Sequence, residues 1–171
     1  MDFSDPMILG AIAAVVIVII AAIVFGGSKK AKFLKGPKEV QTLTLGERVN
    51  LSHDTVRFRF TLPESTPVLG LPVGKHFKVY APNAKGKKKG DWNGREDPED
   101  GEAEIERKYT PTTSDDQVGY VDLVIKVYKG GVIDRFPDGG KLSQYLDSLK
   151  VRLPVKAPHP VSLFVSCTFL H

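Results

Sequence analysis

The chain holds one cysteine, Cys167, so no intrachain disulfide can form. Histidine is also scarce, at four residues, and no Cys/His cluster has metal-ligand spacing, so no metal site is expected. Charge of one sign is in short supply too. A net +4, most of it in two lysine clusters, is too small to imply nucleic acid. No Gly-x-Gly-x-x-Gly pattern follows a strand-like run, which leaves no sequence signal for a second, nucleotide-binding fold. What remains is ordinary: 26% charged and 42% hydrophobic residues over 171 positions suit one compact domain plus an anchor.

The anchor is the apolar run from Met7 to Phe25, which carries no charge. A helix of about 19 residues rises roughly 28 Å, near the thickness of a bilayer's hydrocarbon layer. Asp2 and Asp5 precede it and Lys29, Lys30, Lys32 and Lys35 follow, so the body is expected on the cytosolic side of a single-pass membrane protein. A cleaved signal peptide would need a basic start and a shorter apolar core. Residues 26–38 then read as a basic linker leaving the membrane.

From residue 39 the chain turns β-rich. In Thr55 to Leu62, Val56, Phe58, Phe60 and Leu62 alternate with polar residues, and Val121, Leu123, Ile125 and Val127 repeat the pattern. Several short strands between turn signals predict a mainly β domain, a small antiparallel barrel over 39–151. Residues 82–106 interrupt it, basic through Lys85 to Lys89 and then acidic to Glu106. Such blocks predict a solvated surface insertion. One short helix is expected, where Leu142, Tyr145, Leu146 and Leu149 fall at helical spacing behind Gly139 and Gly140.

Two segments carry chemistry. Arg107-Lys108-Tyr109-Thr110-Pro111 supplies a cation, a flat ring and a hydroxyl, with Pro111 biasing Thr110 towards extended backbone. Gly139-Gly140-Lys141-Leu142-Ser143 opens the helix, where free N–H groups and the macrodipole favour phosphate. A guanidinium such as Arg107 grips phosphate oxygens in a planar fork. Val124 and Lys126 share one face of a neighbouring strand. Together these describe a pocket for a planar ring joined to a pyrophosphate, the shape of a flavin dinucleotide.

The ordered motifs Arg-x-Tyr-Thr-Pro, Gly-Tyr-Val-Asp-Leu-Val-Ile-Lys-Val-Tyr and Gly-Gly-Lys-Leu-Ser-Gln-Tyr-Leu resemble NADH–cytochrome b5 reductase, a ferredoxin-reductase-like flavoprotein family. The resemblance runs from about Val40 to Val151 and implies FAD as cofactor, NADH as electron donor and cytochrome b5 as partner. It implies that Arg107 contacts the FAD phosphates, Tyr109 packs on the flavin and Thr110 hydrogen-bonds near its reacting nitrogen. Val124 and Lys126 would line the cofactor, while Gly140, Lys141, Leu142 and Ser143 would hold the pyrophosphate. His76 matches a family histidine close to the flavin. An anchor contacting lipid through residues 7–25 matches the membrane-bound form, on the endoplasmic reticulum or outer mitochondrial membrane, rather than the soluble flavin module of nitrate reductase.

Beyond Val151 the pattern departs from the family. Three prolines, Pro154, Pro158 and Pro160, stand where a closing barrel strand is expected, and prolines oppose a central strand. Residues 152–171 therefore read as an atypical tail. The expectation is a barrel with an exposed edge, no evident NADH site and little NADH-dependent turnover.

Overall fold

The computed structural model describes residues 15–17, 30–35, 39–151 and 162–167. It divides into two units, residues 1–30 and 31–171. In the first, residues 15–17 are helical and solvent-exposed. Most of the expected anchor, 7–25, lies outside the described residues, among which no helix is long and apolar enough to cross a membrane.

The second unit is built on antiparallel strands β1 (Gln41–Asn50), β2 (Thr55–Thr61), β3 (Phe77–Pro82), β4 (Asp91–Trp92), β5 (Arg95–Glu96), β6 (Glu104–Tyr109), β7 (Tyr120–Lys126) and β8 (Ser162–Cys167), with helix α1 (Lys141–Ser148) between β7 and β8. Six strands form one sheet in the order β6-β3-β8-β1-β2-β7, and β4 and β5 pair as a separate hairpin. The alternation seen in sequence sets the faces. Val56, Phe58 and Phe60 of β2, Val121, Leu123 and Ile125 of β7, and Phe77, Val79 and Ala81 of β3 are buried in one core. Each such side chain stabilises the fold by roughly 1.5–3 kcal/mol for the larger residues. Leu142, Leu146 and Leu149 of α1 join that core, with Tyr145 packed at its margin.

Three departures from the sequence expectation shape this unit. Among the described residues no ladder joins β6 to β7, so the sheet is an open run of six strands rather than a closed barrel. The segment leaving β6 still reaches β7, since the Thr112 N–H donates to the Asp122 carbonyl at 3.0 Å. Second, the tail supplies an interior strand. Gln41 to Thr44 of β1 pair with β8 on one side, and Phe77 to Tyr80 of β3 pair with it on the other. Val165 is fully buried there. The proline argument fails because it applies only to 154–160, upstream of the β-prone run Ser-Leu-Phe-Val-Ser-Cys. Third, residues 32–34 of the expected linker belong to the body. Phe33 and Leu34 are buried, and their N–H groups donate to Val68 and Leu69 carbonyls at 2.8 and 3.0 Å.

The 82–106 insertion is not a free surface loop. Its hairpin turns on Asn93-Gly94, both with positive φ (53° and 73°), the geometry that matches a tight hairpin to strand twist. The hairpin is tied to the approach to α1. The Asn93 and Lys87 N–H groups donate to the Asp138 carboxylate at 2.7 and 3.1 Å, and Asn93 Oδ1 accepts from the N–H groups of Asp138 and Gly139. Trp92 Nε1 and Asn93 Nδ2 both donate to the Gly139 carbonyl at 2.9 Å.

Candidate functional site

A cleft of about 840 Å³ opens between the end of β6 on its core-facing side, the end of β7, the start of α1 and the hairpin. Arg107, Tyr109, Val124, Lys126, Gly140, Lys141, Leu142 and Ser143, all singled out in the sequence, line it together. Thr110 does not. It is solvent-exposed one residue past β6 and is not part of the wall. His76 also lies off the cleft, half-buried, with a buried Nε2 that has no partner among the described residues.

β-strand alternation explains the placement. Arg107 and Tyr109 are two apart on β6, hence on one face, and Tyr109 packs against the core. Burial raises the Tyr109 phenol pKa, so the ring enters the site as a neutral surface. Val124 and Lys126 occupy the outward face of β7, opposite the buried Val121, Leu123 and Ile125. Lys126 pairs with Asp54 at 2.8 Å, which raises the lysine pKa and lowers that of Asp54 to about 2.

The helix start contributes backbone more than side chains. Gly139 takes φ +72°, and a Cβ there would sit 2.4 Å from the Tyr128 carbonyl. Gly140 has ordinary φ −101°; its glycine is demanded by crowding, since a Cβ would meet Ser143 Oγ at 2.6 Å. Leu142 is buried in the core, and Ser143 Oγ is engaged by the Tyr128 N–H and the Gly140 carbonyl, each at 3.2 Å. What faces an anion is the first-turn N–H groups, which have no intrahelical acceptor and no side-chain cap.

The cations are more engaged than the sequence suggests. Lys141 is buried, its ammonium 2.6 Å from Asp97, 2.9 Å from Asn83 and 3.4 Å from Glu99. It lies 5.0 Å from the Trp92 ring centroid. Its side chain thus ties the insertion to α1 from within the cleft wall. Arg107 holds Glu99 in a two-pronged pair, at 2.7 and 2.9 Å. That bond depresses the Glu99 carboxyl pKa and raises that of the guanidinium. Asp97 is likewise held below the usual carboxylate range by Lys141.

Sequence reasoning missed Trp92, Asn93, Asp97, Glu99, Tyr128 and Phe136, which also line the cleft. The Asn93-Gly94 pair was the available signal, since Asn-Gly marks a tight hairpin even inside a charged block. Summed over the walls, Arg95, Arg107, Lys108, Lys126, Arg135 and Lys141 outnumber Glu96, Asp97 and Glu99. The cleft is positive, part aromatic and edged by unsatisfied backbone donors. That is the site of a protein that binds an anionic cofactor with a flat ring.

Comparison with known proteins gives that class its family. Residues 42–90 and 98–164 match the oxidoreductase FAD-binding domain, and the chain belongs to that family. It is 50% identical over 118 residues to NADH-cytochrome b5 reductase 1 of Homo sapiens, covering 69% of this chain and 33% of that protein. It is 40% identical over 158 residues to NADH-cytochrome b5 reductase 2 of Xenopus laevis, covering 92% and 48%. Its fold matches the crystal structure of the cytochrome b5 reductase domain of Ulva prolifera nitrate reductase with a TM-score of 0.59 and 34% identity, covering 81% of this chain and 43% of the other. The chain therefore spans between a third and a half of the length of these two reductases. FAD is the cofactor of this family, and the free first-turn donors, Arg107 and the Tyr109 ring fit it.

Proposed function

We propose that this chain is the flavin-binding part of a membrane-anchored NADH–cytochrome b5 reductase. The observation that carries the reading is the convergence of Arg107, Tyr109, Val124, Lys126 and the start of α1 on one cleft. In it, Arg107 and the N–H groups of Lys141 to Ser143 would hold the pyrophosphate, and Tyr109 and Val124 would pack on the ring. When bound, FAD supplies the conversion of two-electron hydride chemistry into single-electron transfer. The protein's part is to orient the ring and exclude water from one of its faces, for which the half-buried Tyr109 is suited. Thr110, exposed one residue past the cleft-lining Tyr109, would meet the ring's edge from the solvent side. Similarity to named reductases supports NADH as donor and cytochrome b5 as acceptor. The uncharged run at 7–25 supports anchoring, with the body cytosolic.

The test uses the purified full chain in detergent, titrated with FAD while flavin absorbance and fluorescence are followed. Saturable binding is expected, weakened about tenfold to a hundredfold by Arg107→Ala, the usual worth of a charged hydrogen-bonding partner. Unchanged affinity in that variant would remove Arg107 from the pyrophosphate site. NADH–ferricyanide turnover, measured on the same preparation, reads whether this chain alone completes the reaction.

A further inference from the structure

The guanidinium expected to grip the pyrophosphate is already gripping a carboxylate. Glu99 meets Arg107 through both oxygens, at 2.7 and 2.9 Å, and both residues line the cleft. Carboxylate and phosphate present the same two-oxygen edge to a guanidinium, so they compete for one fork. Two anions cannot share it without like-charge repulsion in a partly desolvated site.

The neighbouring acid behaves differently. Asp97 and Lys141 are each 3% exposed in their side chains, and Lys141 also has Asn83. Removing either partner would strand a buried charge. Glu99 and Arg107 are 28% and 43% exposed, so a displaced Glu99 carboxylate can be taken up by water. Lys141 would lose only its 3.4 Å contact to Glu99 and keep its 2.6 Å bond to Asp97. One acid is a strut and the other is replaceable.

We propose that Glu99 is a displaceable carboxylate occupying the Arg107 fork, so that cofactor binding is an exchange of anions and Glu99 sets cofactor affinity. This rests on the reading that the cleft takes FAD. The exchange acts on the phosphate end alone. A flavin without phosphate leaves the Glu99–Arg107 pair in place, whereas a pyrophosphate without flavin must break it.

The experiment measures, on the full chain, the affinities of FAD, inorganic pyrophosphate and riboflavin by calorimetry or fluorescence. It compares wild type with Glu99→Gln and Glu99→Ala, circular dichroism reporting the fold. The expected result is that both variants bind FAD and pyrophosphate about tenfold or more tightly, with riboflavin unchanged; one freed charged contact is of that order. FAD affinity equal to wild type, or weaker, in folded variants overturns the proposal and leaves the cofactor reading standing. A parallel gain for riboflavin also overturns it, since the effect would then be general loosening. If wild type and variants bind no FAD while folded, both readings fall together. Should Glu99→Gln not fold, Glu99→Ala decides by the same criteria; if neither folds, Glu99 is a structural strut and the proposal is overturned.

Discussion

The Lys141 ammonium and the Asp97 carboxylate stand 2.6 Å apart with almost no exposure, joining the first residue of α1 to a segment 44 positions earlier. The sequence places Lys141 at the pyrophosphate; the residue lines the cleft, with its ammonium held in a buried ion pair. Because both charges are desolvated, the pair is worth keeping only as a pair. Asp97→Ala is expected to destabilise the fold by about 3 kcal/mol, since it removes the closer of the two carboxylates on a buried ammonium and leaves only Glu99 at 3.4 Å. Urea unfolding of the two proteins measures this. A loss below about 1 kcal/mol would show that water reaches Lys141.

β8 makes a second prediction. As an interior strand it satisfies the facing edges of both β1 and β3. Ending the chain at residue 161 would leave two adjacent edges without a partner, a template for aggregation. The shortened protein is expected to elute as aggregates on size exclusion where the full chain does not. Within the strand, Val165→Ala should cost about 1.5 kcal/mol, two buried methyl groups at roughly 0.8 each.

The acid side of the stability profile follows from three carboxylates. Asp54, Asp97 and Glu99 all have folded-state pKa values below their usual 3.8, 3.8 and 4.5, the first at about 2. A group with a depressed folded pKa binds its proton more readily unfolded. Its stabilisation is complete above the unfolded value and is lost as pH falls through the folded one. Unfolding free energy should therefore be level near neutrality and fall from about pH 4.5 down towards pH 2. In Asp54→Asn the fall should be shallower. An identical profile in that variant would mean the Lys126 pair does not persist in solution.

Gly140 offers a local test of the cradle. Its φ of −101° is open to any residue, so Gly140→Ala carries no backbone penalty, but the new methyl meets Ser143 Oγ at 2.6 Å and Tyr128 Cβ at 3.2 Å. Ser143 must turn away and give up the Tyr128 N–H. FAD affinity is expected to drop about tenfold while stability changes by about 1 kcal/mol, the worth of one hydrogen bond. Gly139→Ala should unfold the loop outright, because its methyl would collide with backbone at 2.4 Å.

How much of this was legible in sequence depended on whether a residue's role is local. Alternation in β2 and β7 predicted their buried faces because strand period is a local property, and the spacing of Leu142, Tyr145, Leu146 and Leu149 marked α1 for the same reason. The convergence of Arg107, Tyr109 and the helix start could be proposed because each segment has its own chemistry. The partners of Lys141 and Arg107 could not, since Asp97 and Glu99 sit in a charged block that reads as solvated, and only folding sets two of its carboxylates against those cations. The tail was misjudged through proximity. Prolines at 154–160 obscured the β-prone residues just after them.

The ties from Asn93 to Asp138 and Gly139 have a dynamic consequence. The side chain and backbone amide of Asn93, with the Trp92 indole, hold the loop that positions the first N–H groups of α1, so the two pieces are expected to open together. Amide hydrogens of Asn93, Asp138 and Gly139 should exchange with solvent deuterium at a shared rate, as one opening unit. Asn93→Ala should speed all the survivors together. The insertion would then count as part of the cofactor site's own clock, and its length could not drift without altering how often that site is formed.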